Sequence, residues 1–108
     1  MKMIVAIVRP DRLRGVEESL KAEGFPSLTE FSVRGRGKQK GITIGDMRYD
    51  KLPKSCVMMV CRNEDTEKII GIILKEGKTG NIGDGKIFIL NVEDAVTIRT
   101  GLRGDESV

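Results

Sequence analysis

Several residue types are scarce or missing in this 108-residue chain. It contains no His and no Trp, two Cys, one Tyr and three Phe. His is the commonest general base and a common ligand of transition metals, so its absence argues against hydrolase and zinc chemistry. Cys56 and Cys61 lie in an apolar segment at a spacing that fits neither a metal knuckle nor a secreted disulfide scaffold. We expect both thiols to be reduced and buried.

Long hydrophobic runs are also missing. The N-terminal run Met3–Val8 is far shorter than the ~20 residues that a membrane span requires, and no later run approaches that length. We therefore expect a cytoplasmic protein with no membrane insertion. The length suits a single domain over residues 1–108, and a domain of this size gains burial by forming an oligomer.

Positive charge is concentrated in one segment. Nineteen Lys and Arg oppose 16 Asp and Glu, a net charge of +3. Four cations fall between Arg34 and Lys40, interleaved with glycines, which indicates an anionic partner. Nucleic acid, nucleotide phosphate and an acidic protein surface all fit this charge.

Hydrophobic periodicity predicts two strand–helix–strand units. Met3–Val8 and Val57–Val60 are predicted to be buried strands, and each precedes a helical pattern. Asn63 is the predicted N-cap of the second helix. The predicted helix faces are Leu13, Val16 and Leu20, then Ile69, Ile70, Ile73 and Leu74; the other predicted extended segments are Leu28–Val33, Lys86–Leu90 and Val92–Ile98.

The order of elements is therefore strand, helix, strand, long loop, strand, helix, strand. This order predicts an α+β fold: a ferredoxin-like βαββαβ sandwich, with a four-stranded antiparallel sheet and two helices on one face. VAIVR before the first helix and MMVCR before the second both end an apolar strand with Arg. This echo supports two related halves.

The segment TGNIGDGK, Thr79 to Lys86, carries three glycines whose N–H groups are suited to line an anion-binding nest beside Lys86. It matches the start of the Walker A pattern, but Ile87 replaces the required Ser or Thr. The segment also leaves a helix and enters a strand, the reverse of a P-loop. P-loop nucleotide hydrolysis is therefore excluded.

Three segments together, VRGRGKQKG (33–41), TGNIGDGKIF (79–88) and TIRTG (97–101), strongly resemble the PII signal-transduction family. The resemblance implies a T-loop at about 35–53, a B-loop at about 79–86 and a C-terminal loop at about 97–108. The compact T-loop and the TIRTG ending resemble archaeal and anaerobe PII-like proteins of nitrogen-fixation regions.

The resemblance implies a regulatory protein rather than an enzyme. It implies sensing of ATP or ADP and of 2-oxoglutarate, with Mg²⁺ bridging the effector to ATP and no redox cofactor. The implied assembly is a homotrimer, or a mixed assembly with a paralogous PII-like subunit, with nucleotide in each inter-subunit cleft. The implied target is a nitrogenase component, reached through the T-loop, and no nucleic acid is expected.

The resemblance also implies roles for individual residues. Lys54 would pair with a carboxylate of 2-oxoglutarate, Gln39 would hold the effector and its Mg²⁺, and Arg99 would face the phosphates. Thr29 and Val60 would line the adenine pocket. The residues expected around the phosphates are Gly37, Lys38, Gln39, Gly83, Asp84, Gly85 and Lys86.

Three positions depart from the family pattern. Thr97 stands where the family often has Arg, and Met58 stands where a Glu is common, so two polar contacts to nucleotide are missing. Tyr49 does not occupy the context of the modifiable tyrosine, so uridylylation is not expected there. The alternatives are a PII protein acting on an ammonium transporter or another target, an RNA-binding ferredoxin-like module and, least favoured, an enzyme acting on a phosphate ester.

Overall fold

The computed structural model describes residues 1–38, 42–45, 47–49 and 51–108. The helices are α1 (Leu13–Ala22) and α2 (Thr66–Gly77). Short 3₁₀ turns precede each helix, and a third ends the chain. The strands are β1 (Lys2–Val8), β2 (Thr29–Gly35), β3 (Ile42–Ile44), β4 (Met47–Tyr49), β5 (Leu52–Cys61) and β6 (Gly85–Asn91).

Four strands form one antiparallel sheet in the order β2-β5-β1-β6. Each of the two helices connects strands of this sheet, so the predicted ferredoxin-like βαββαβ architecture is confirmed. The remaining two strands, β3 and β4, pair with each other inside the T-loop. The long loop expected between the second and third strands of the sheet therefore contains a small hairpin of its own.

The strand register assigns each side chain to one of two sheet faces, because directly opposed residues point the same way. Ala6 lies opposite Val57 and Ile87, and this row faces the helices. The core between sheet and helices is closely packed. Its fully buried large side chains are Ile4, Val16, Leu20, Val57, Ile69 and Ile73.

The other sheet face has no element of this chain over it among the described residues, and we call it the open face. Phe31, Phe88 and Leu90 lie on it and are each 45–47% exposed. Contiguous exposed apolar surface of this kind marks an interaction site. The apolar side chains that the register places there, besides Cys56, are Met3, Val5, Ile7, Phe31, Val33, Met58, Val60, Phe88 and Leu90.

Both cysteines are free and buried, as expected. They are separated by an odd number of positions on β5, so Cys61 faces the core and Cys56 faces the open side. Cys56 lies between Phe31 and Ile7 in the strand register. Burial raises the pKa of the Cys56 thiol.

The helix predictions need two corrections. Leu74 was expected on the buried face of α2 but is 55% exposed, because it lies at the outer margin of the helix next to edge strand β6. Asn63 was expected to cap this helix, but it starts a 3₁₀ turn and makes no side-chain cap. Gly24, with φ +94°, follows the end of α1 as predicted.

The strand predictions also need two corrections. The third predicted strand, Val57–Val60, is the second half of a longer strand, because β5 extends back to Leu52 to pair with β2. Val92–Ile98 is not a strand; its residues curl into a turn held by an isolated bridge between Val96 and Arg103. Among the described residues, no helix has the length and apolarity to cross a bilayer.

Candidate functional site

One end of the sheet brings together four chain segments. β2 ends at Gly35, opposite the start of β5 at Leu52, and β1 ends at Val8, opposite the start of β6 at Gly85. Because neighbouring strands are antiparallel, the base of the T-loop and the end of the B-loop meet at this end of the sheet. We call this end, where the strands stop and the loops begin, the sheet edge, and it holds the candidate site.

Gly85 is required where the B-loop enters the sheet. Its φ of +104° lies in a region that L side chains rarely adopt. A Cβ on Gly85 would also clash with the backbone carbonyl oxygen of Ile7 on β1. The close approach of these two strands therefore depends on glycine at this position.

The Asp84 carboxylate organises the B-loop. It accepts hydrogen bonds from the backbone N–H groups of Thr79 and Gly80, both at 2.8 Å, and from the Thr79 hydroxyl. The Nε of Arg9 donates to it at 2.9 Å. The hydrogen bonds from Thr79 and Arg9 hold the pKa of Asp84 well below its usual range. Asp84 is thus a fixed anion around which the loop closes.

Arg9 connects the B-loop to the end of β1. Extending the strand register by one residue beyond Val8 places Arg9 between Lys54 of β5 and Asp84 of the B-loop. Besides its ion pair with Asp84, Arg9 donates from its terminal nitrogen to the Ile82 carbonyl oxygen at 2.7 Å. One guanidinium therefore contacts two points of the loop.

Lys54 lies beside Arg9 on the open face and donates to the Gly83 carbonyl oxygen. Burial lowers the pKa of Lys54, and the nearby Arg9 charge lowers it further, whereas Asp84 opposes this shift. A Cβ built on Gly83 would lie 3.3 Å from an Arg9 nitrogen and 3.4 Å from the Lys54 ammonium. The two cations therefore converge on Gly83.

The arrangement contains two cations and one carboxylate. Asp84 is already engaged by Arg9 and by backbone N–H groups, and Lys54 has a neutral carbonyl oxygen as its acceptor. Exchange of that carbonyl for an anion would relieve the repulsion between the two cations. This arrangement of charges is suited to an anion.

Comparison with protein families matches residues 1–102 to the family described as "Nitrogen regulatory protein P-II". The chain belongs to the P-II family. The match covers both strand–helix–strand units, the B-loop and the TIRTG segment. It agrees with the family resemblance carried by the glycine-rich segments.

Curated relatives include P-II proteins of methanogenic archaea. "Nitrogen fixation nifHD2 region GlnB-like protein 1" of Methanosarcina barkeri is 49% identical over 96% of this chain and 99% of that protein. The corresponding nifHD-region protein of Methanothermococcus thermolithotrophicus is 44% identical over the same shares. "Nitrogen regulatory protein P-II 2" of Methanothermobacter thermautotrophicus is 46% identical over 100% and 97%. These names confirm the expected nitrogen-fixation-region subgroup.

A solved P-II structure has the same fold. It is the crystal structure of Arabidopsis thaliana PII bound to citrate, with a TM-score of 0.83 and 34% identity. The match covers 99% of this chain and 91% of that one. The ferredoxin-like architecture is thus that of a P-II protein.

The structure brings several of the predicted P-II site residues together. Lys54, Gly83, Asp84 and Gly85 share the edge described above. Lys86 follows on β6, exposed and opposite Ile7 on the open face. Gly37 and Lys38 are exposed just beyond the end of β2. Gln39, the predicted effector and magnesium ligand, and the side chain of Tyr49 lie outside the described residues.

Three predicted residues lie elsewhere in the same chain. Thr29 and Val60 share the open face at the far end of the sheet; Val60 is six residues from Lys54 along β5, about 20 Å at ~3.3 Å per residue. Arg99 lies in the turn that follows β6, whose last residue, Asn91, is at that far end. Within one chain, the adenine residues Thr29 and Val60 are therefore separate from the B-loop residues expected at the phosphates.

The positions that depart from the family pattern lie with the far group. Met58 is directly opposite Thr29 on the open face. Thr97 starts the turn that carries Arg99, and its hydroxyl contacts the Ser107 carbonyl oxygen at 3.5 Å. Both departures thus lie away from the B-loop within one chain.

Arg9 is the site residue that the sequence analysis did not select. The signal was present in the paired VAIVR and MMVCR segments, which place Arg9 and Arg62 at equivalent strand ends. In the structure each arginine reaches a loop distant in sequence: Arg9 contacts the B-loop, and Arg62 donates to the Asp105 carbonyl oxygen at 3.3 Å. The repeated sequence pattern therefore marks two arginines that each contact a distant loop, and one of them, Arg9, lies in the candidate site.

Proposed function

We propose that this P-II chain is a sensor of ATP or ADP and of 2-oxoglutarate that controls nitrogen fixation through its T-loop. The observation that carries the proposal is the convergence of Arg9 and Lys54 on Gly83, where two cations share one engaged carboxylate. The family membership and the names of the nifHD-region relatives support the link to nitrogen. The chain acts by binding and not as an enzyme.

Lys54 and Arg9 are the proposed contacts for a carboxylate of 2-oxoglutarate. Binding would replace the neutral Gly83 oxygen by a charged acceptor, so that the hydrogen bond from the Lys54 ammonium would become an ion pair. The citrate bound to the Arabidopsis relative is likewise a small polycarboxylate. Gln39, with Mg²⁺ and ATP, would complete the effector site in this proposal.

The nucleotide is proposed to bind between subunits. The phosphate residues of the B-loop and the adenine residues Thr29 and Val60 lie about 20 Å apart in one chain, too far for one nucleotide to contact both. Two chains arranged head to tail would bring opposite ends together, and such contacts close into a ring. The exposed apolar side chains of the open face supply the burial that a trimer requires.

The T-loop is proposed to carry the signal because Lys54 lies at its base. A Cβ on Gly35, the last residue of β2, would lie 3.9 Å from the Lys54 side chain. A ligand shifts an equilibrium only if it binds two states with different affinity. Ligand contact with Lys54 would therefore change the T-loop conformation and its affinity for a target, proposed to be a nitrogenase component.

RNA binding is a weaker reading of the same fold. RRM-type sheets stack bases on aromatic side chains. Here the exposed aromatic residues of the open face, Phe31 and Phe88, lie on the two edge strands, and the central strands present aliphatic and sulfur-containing side chains. A salt-sensitive shift of labelled RNA at physiological ionic strength would favour this alternative.

Calorimetric titration of 2-oxoglutarate, with and without MgATP, tests the sensor directly. We expect binding only with MgATP, and a loss of at least about tenfold in Lys54→Gln, since hydrogen bonds to charged groups are worth about 1.5–3 kcal/mol. Lys75→Gln, an exposed lysine on α2, is the control and should bind as the parent does. Equal binding by Lys54→Gln, or binding indifferent to MgATP, would contradict the proposal.

A further inference from the structure

Two cations of the sheet edge lie against the same glycine. A Cβ built on Gly83 would lie 3.3 Å from a terminal nitrogen of Arg9 and 3.4 Å from the Lys54 ammonium. Arg9 has the Asp84 carboxylate as an acceptor, whereas Lys54 donates to the neutral Gly83 carbonyl oxygen. Loss of the Lys54 proton therefore removes a repulsion with Arg9 and keeps a hydrogen bond to Gly83 possible.

The charges around Lys54 favour its neutral amine. The charged groups that act on this half-buried lysine are Arg9 from the end of β1 and Asp84 from the B-loop, and exposed Lys86 lies on the next row of the open face. Burial lowers the pKa of Lys54, Arg9 lowers it further, and Asp84 opposes both. An amine without its proton is a nucleophile, so Lys54 is placed to react with an electrophile.

The surroundings of the amine restrict which electrophile fits. Gly83 has no side chain, and the space that its Cβ would fill lies between Arg9 and Lys54. A one-carbon electrophile suits this space better than a larger acyl donor. CO₂ is such a molecule: it is uncharged, it is present in water in equilibrium with bicarbonate, and its product with an amine is an anion.

We propose that Lys54 reacts reversibly with CO₂ and that the carbamate formed opposes binding of the carboxylate effector. The lone pair of the neutral Nζ forms a bond to the carbon of CO₂, one C=O π pair moves to oxygen, and one N–H proton passes to water. The products are one carbamate anion and one proton, and no oxidant or reductant is needed. The reaction is independent of the proposed function, whereas its effect on the effector rests on it.

The product fits the contacts that Lys54 already makes. The carbamate nitrogen keeps one N–H, which can still donate to the Gly83 carbonyl oxygen. Its carboxylate would lie beside Arg9, whose guanidinium has more N–H donors than its bonds to Asp84 and Ile82 use. Asp84 repels the product, but its charge is engaged by Arg9 and by backbone N–H groups. Carbamate formation therefore exchanges a cation–cation repulsion for an ion pair.

The carbamate would stand where a carboxylate of 2-oxoglutarate is proposed to bind. It removes the positive charge of Lys54 and adds a negative one, so the two anions compete for Arg9. Linkage requires that CO₂ and 2-oxoglutarate weaken the binding of each other by the same factor. CO₂ would therefore raise the 2-oxoglutarate concentration at which the protein responds.

Chemical trapping tests the reaction without nucleotide or 2-oxoglutarate. The full chain is equilibrated with isotope-labelled bicarbonate, alkylated with triethyloxonium ion to fix carbamates as ethyl esters, digested and mapped by mass spectrometry. We expect the label on Lys54 to rise with pH at constant CO₂ pressure and to exceed that on exposed Lys75 of α2 by about threefold or more. Arg9→Met should lower the Lys54 label about threefold, whereas Arg12→Met, in the exposed turn before α1, should not.

Displacement of the label tests the competition. Saturating 2-oxoglutarate with MgATP should lower the label on Lys54 by about threefold or more and leave that on Lys75 unchanged. In calorimetry, bicarbonate should weaken 2-oxoglutarate binding relative to chloride at equal pH and ionic strength. Lys54→Arg keeps the positive charge but stays protonated, so bicarbonate should not affect it. An equal loss in parent and Lys54→Arg would show plain anion competition and overturn the covalent step.

The remaining outcomes separate this proposal from the sensor. No label on Lys54, or equal label on Lys54 and Lys75, overturns the carbamate, and effector binding in CO₂-free buffer then leaves the sensor in place. Label on Lys54 without effector binding in CO₂-free buffer supports the carbamate and contradicts the sensor. Label that bound 2-oxoglutarate does not displace overturns the competition.

Discussion

Two loops of this P-II protein are each organised by one aspartate, and they differ in what anchors them. In the B-loop, Asp84 accepts from two backbone N–H groups and from Arg9, which is 75 residues away in sequence. In the C-terminal loop, Asp94 accepts from the N–H groups of Ala95 and Gly104, at 2.8 and 3.2 Å, and from Arg103, nine residues away. Both aspartates therefore bind backbone N–H groups of their own loop, but the arginine partner of Asp84 is distant in sequence and that of Asp94 is close.

The difference determines how each loop can open. The B-loop is attached to β1 through Arg9 and to β5 through Lys54, so its opening disturbs the sheet edge. The C-terminal loop is held mainly by its own residues, with Arg62 donating to the Asp105 carbonyl oxygen at 3.3 Å as a contact to the sheet. Segments with local contacts open with low free energy. A change in the first loop is therefore expected to reach the sheet, whereas a change in the second is expected to stay local.

The largest expected difference between the loops comes from their glycines. Gly85→Ala should lower the free energy of unfolding by more than about 3 kcal/mol or prevent folding, because φ strain is added to a clash with the Ile7 carbonyl oxygen. Gly101→Ala, at φ +73° with open space around it, should cost about 1 kcal/mol. Denaturant unfolding measures both, and equal losses would remove the distinction between the loops.

Removal of the organising carboxylate should affect ligand binding next. Asp84→Ala frees the Thr79 and Gly80 N–H groups and leaves Arg9 without its ion pair, so we expect MgATP affinity to fall about tenfold or more. Asp11→Ala, which changes an exposed aspartate in the turn before α1, is the control and should bind normally. Calorimetric titration of MgATP measures both affinities. Unchanged affinity in Asp84→Ala would show that the loop keeps its shape without the carboxylate.

Amide hydrogen exchange sharpens the comparison further. Asp94→Ala should speed exchange in residues 95–104 and leave β1 protected, because its partners are local. Asp84→Ala should speed exchange both in residues 79–85 and at the end of β1, because Arg9 joins the two. Matching exchange patterns in the two variants would contradict the difference in anchoring.

The smallest expected effect is a pH dependence of stability that comes from Glu17 on α1. It has the opposite sign to the pH dependence that the two loop aspartates contribute. The pKa values of Asp84 and Asp94 are lowered, chiefly by the Thr79 and Arg103 hydrogen bonds, so their stabilisation is present above the unfolded pKa and lost on acidification. On α1, a hydrogen bond with Glu30, followed by burial, raises the pKa of Glu17 from 4.5 to about 7. That contribution is complete below pH 4.5 and is lost as pH rises through about 7.

Glu17→Gln isolates the contribution of the Glu17 carboxyl to stability. Between pH 5.5 and 8.5 the Tm of the parent should fall by about 3 °C more than that of the variant, measured at one protein concentration. Glu18→Gln, on the exposed side of the same helix, is the comparison and should change the Tm profile less. Identical profiles for parent and Glu17→Gln would show that the two carboxyls do not share a proton.

Much of the fold followed from short-range patterns. The strand and helix order, the α1 stop at Gly24 and the buried cysteines were all predicted, because periodicity and glycine act within a few residues. The errors fall at the margins of the sheet. Leu74 and the segment Val92–Ile98 have apolar sequence patterns, but the described chain leaves Leu74 and Ile98 exposed, and the proposed second copy would account for that exposure.

The sequence by itself determined the element order, the glycine-rich loops and the family, because these depend on residues close together in the chain. Only the tertiary structure decided that Arg9, Lys54 and Asp84 stand in one row, since Arg9 and Asp84 are 75 residues apart in the chain. It likewise separated Thr29 and Val60 from the B-loop within one chain. Loop closure over such distances is set by packing of the whole sheet, which local residue patterns do not encode.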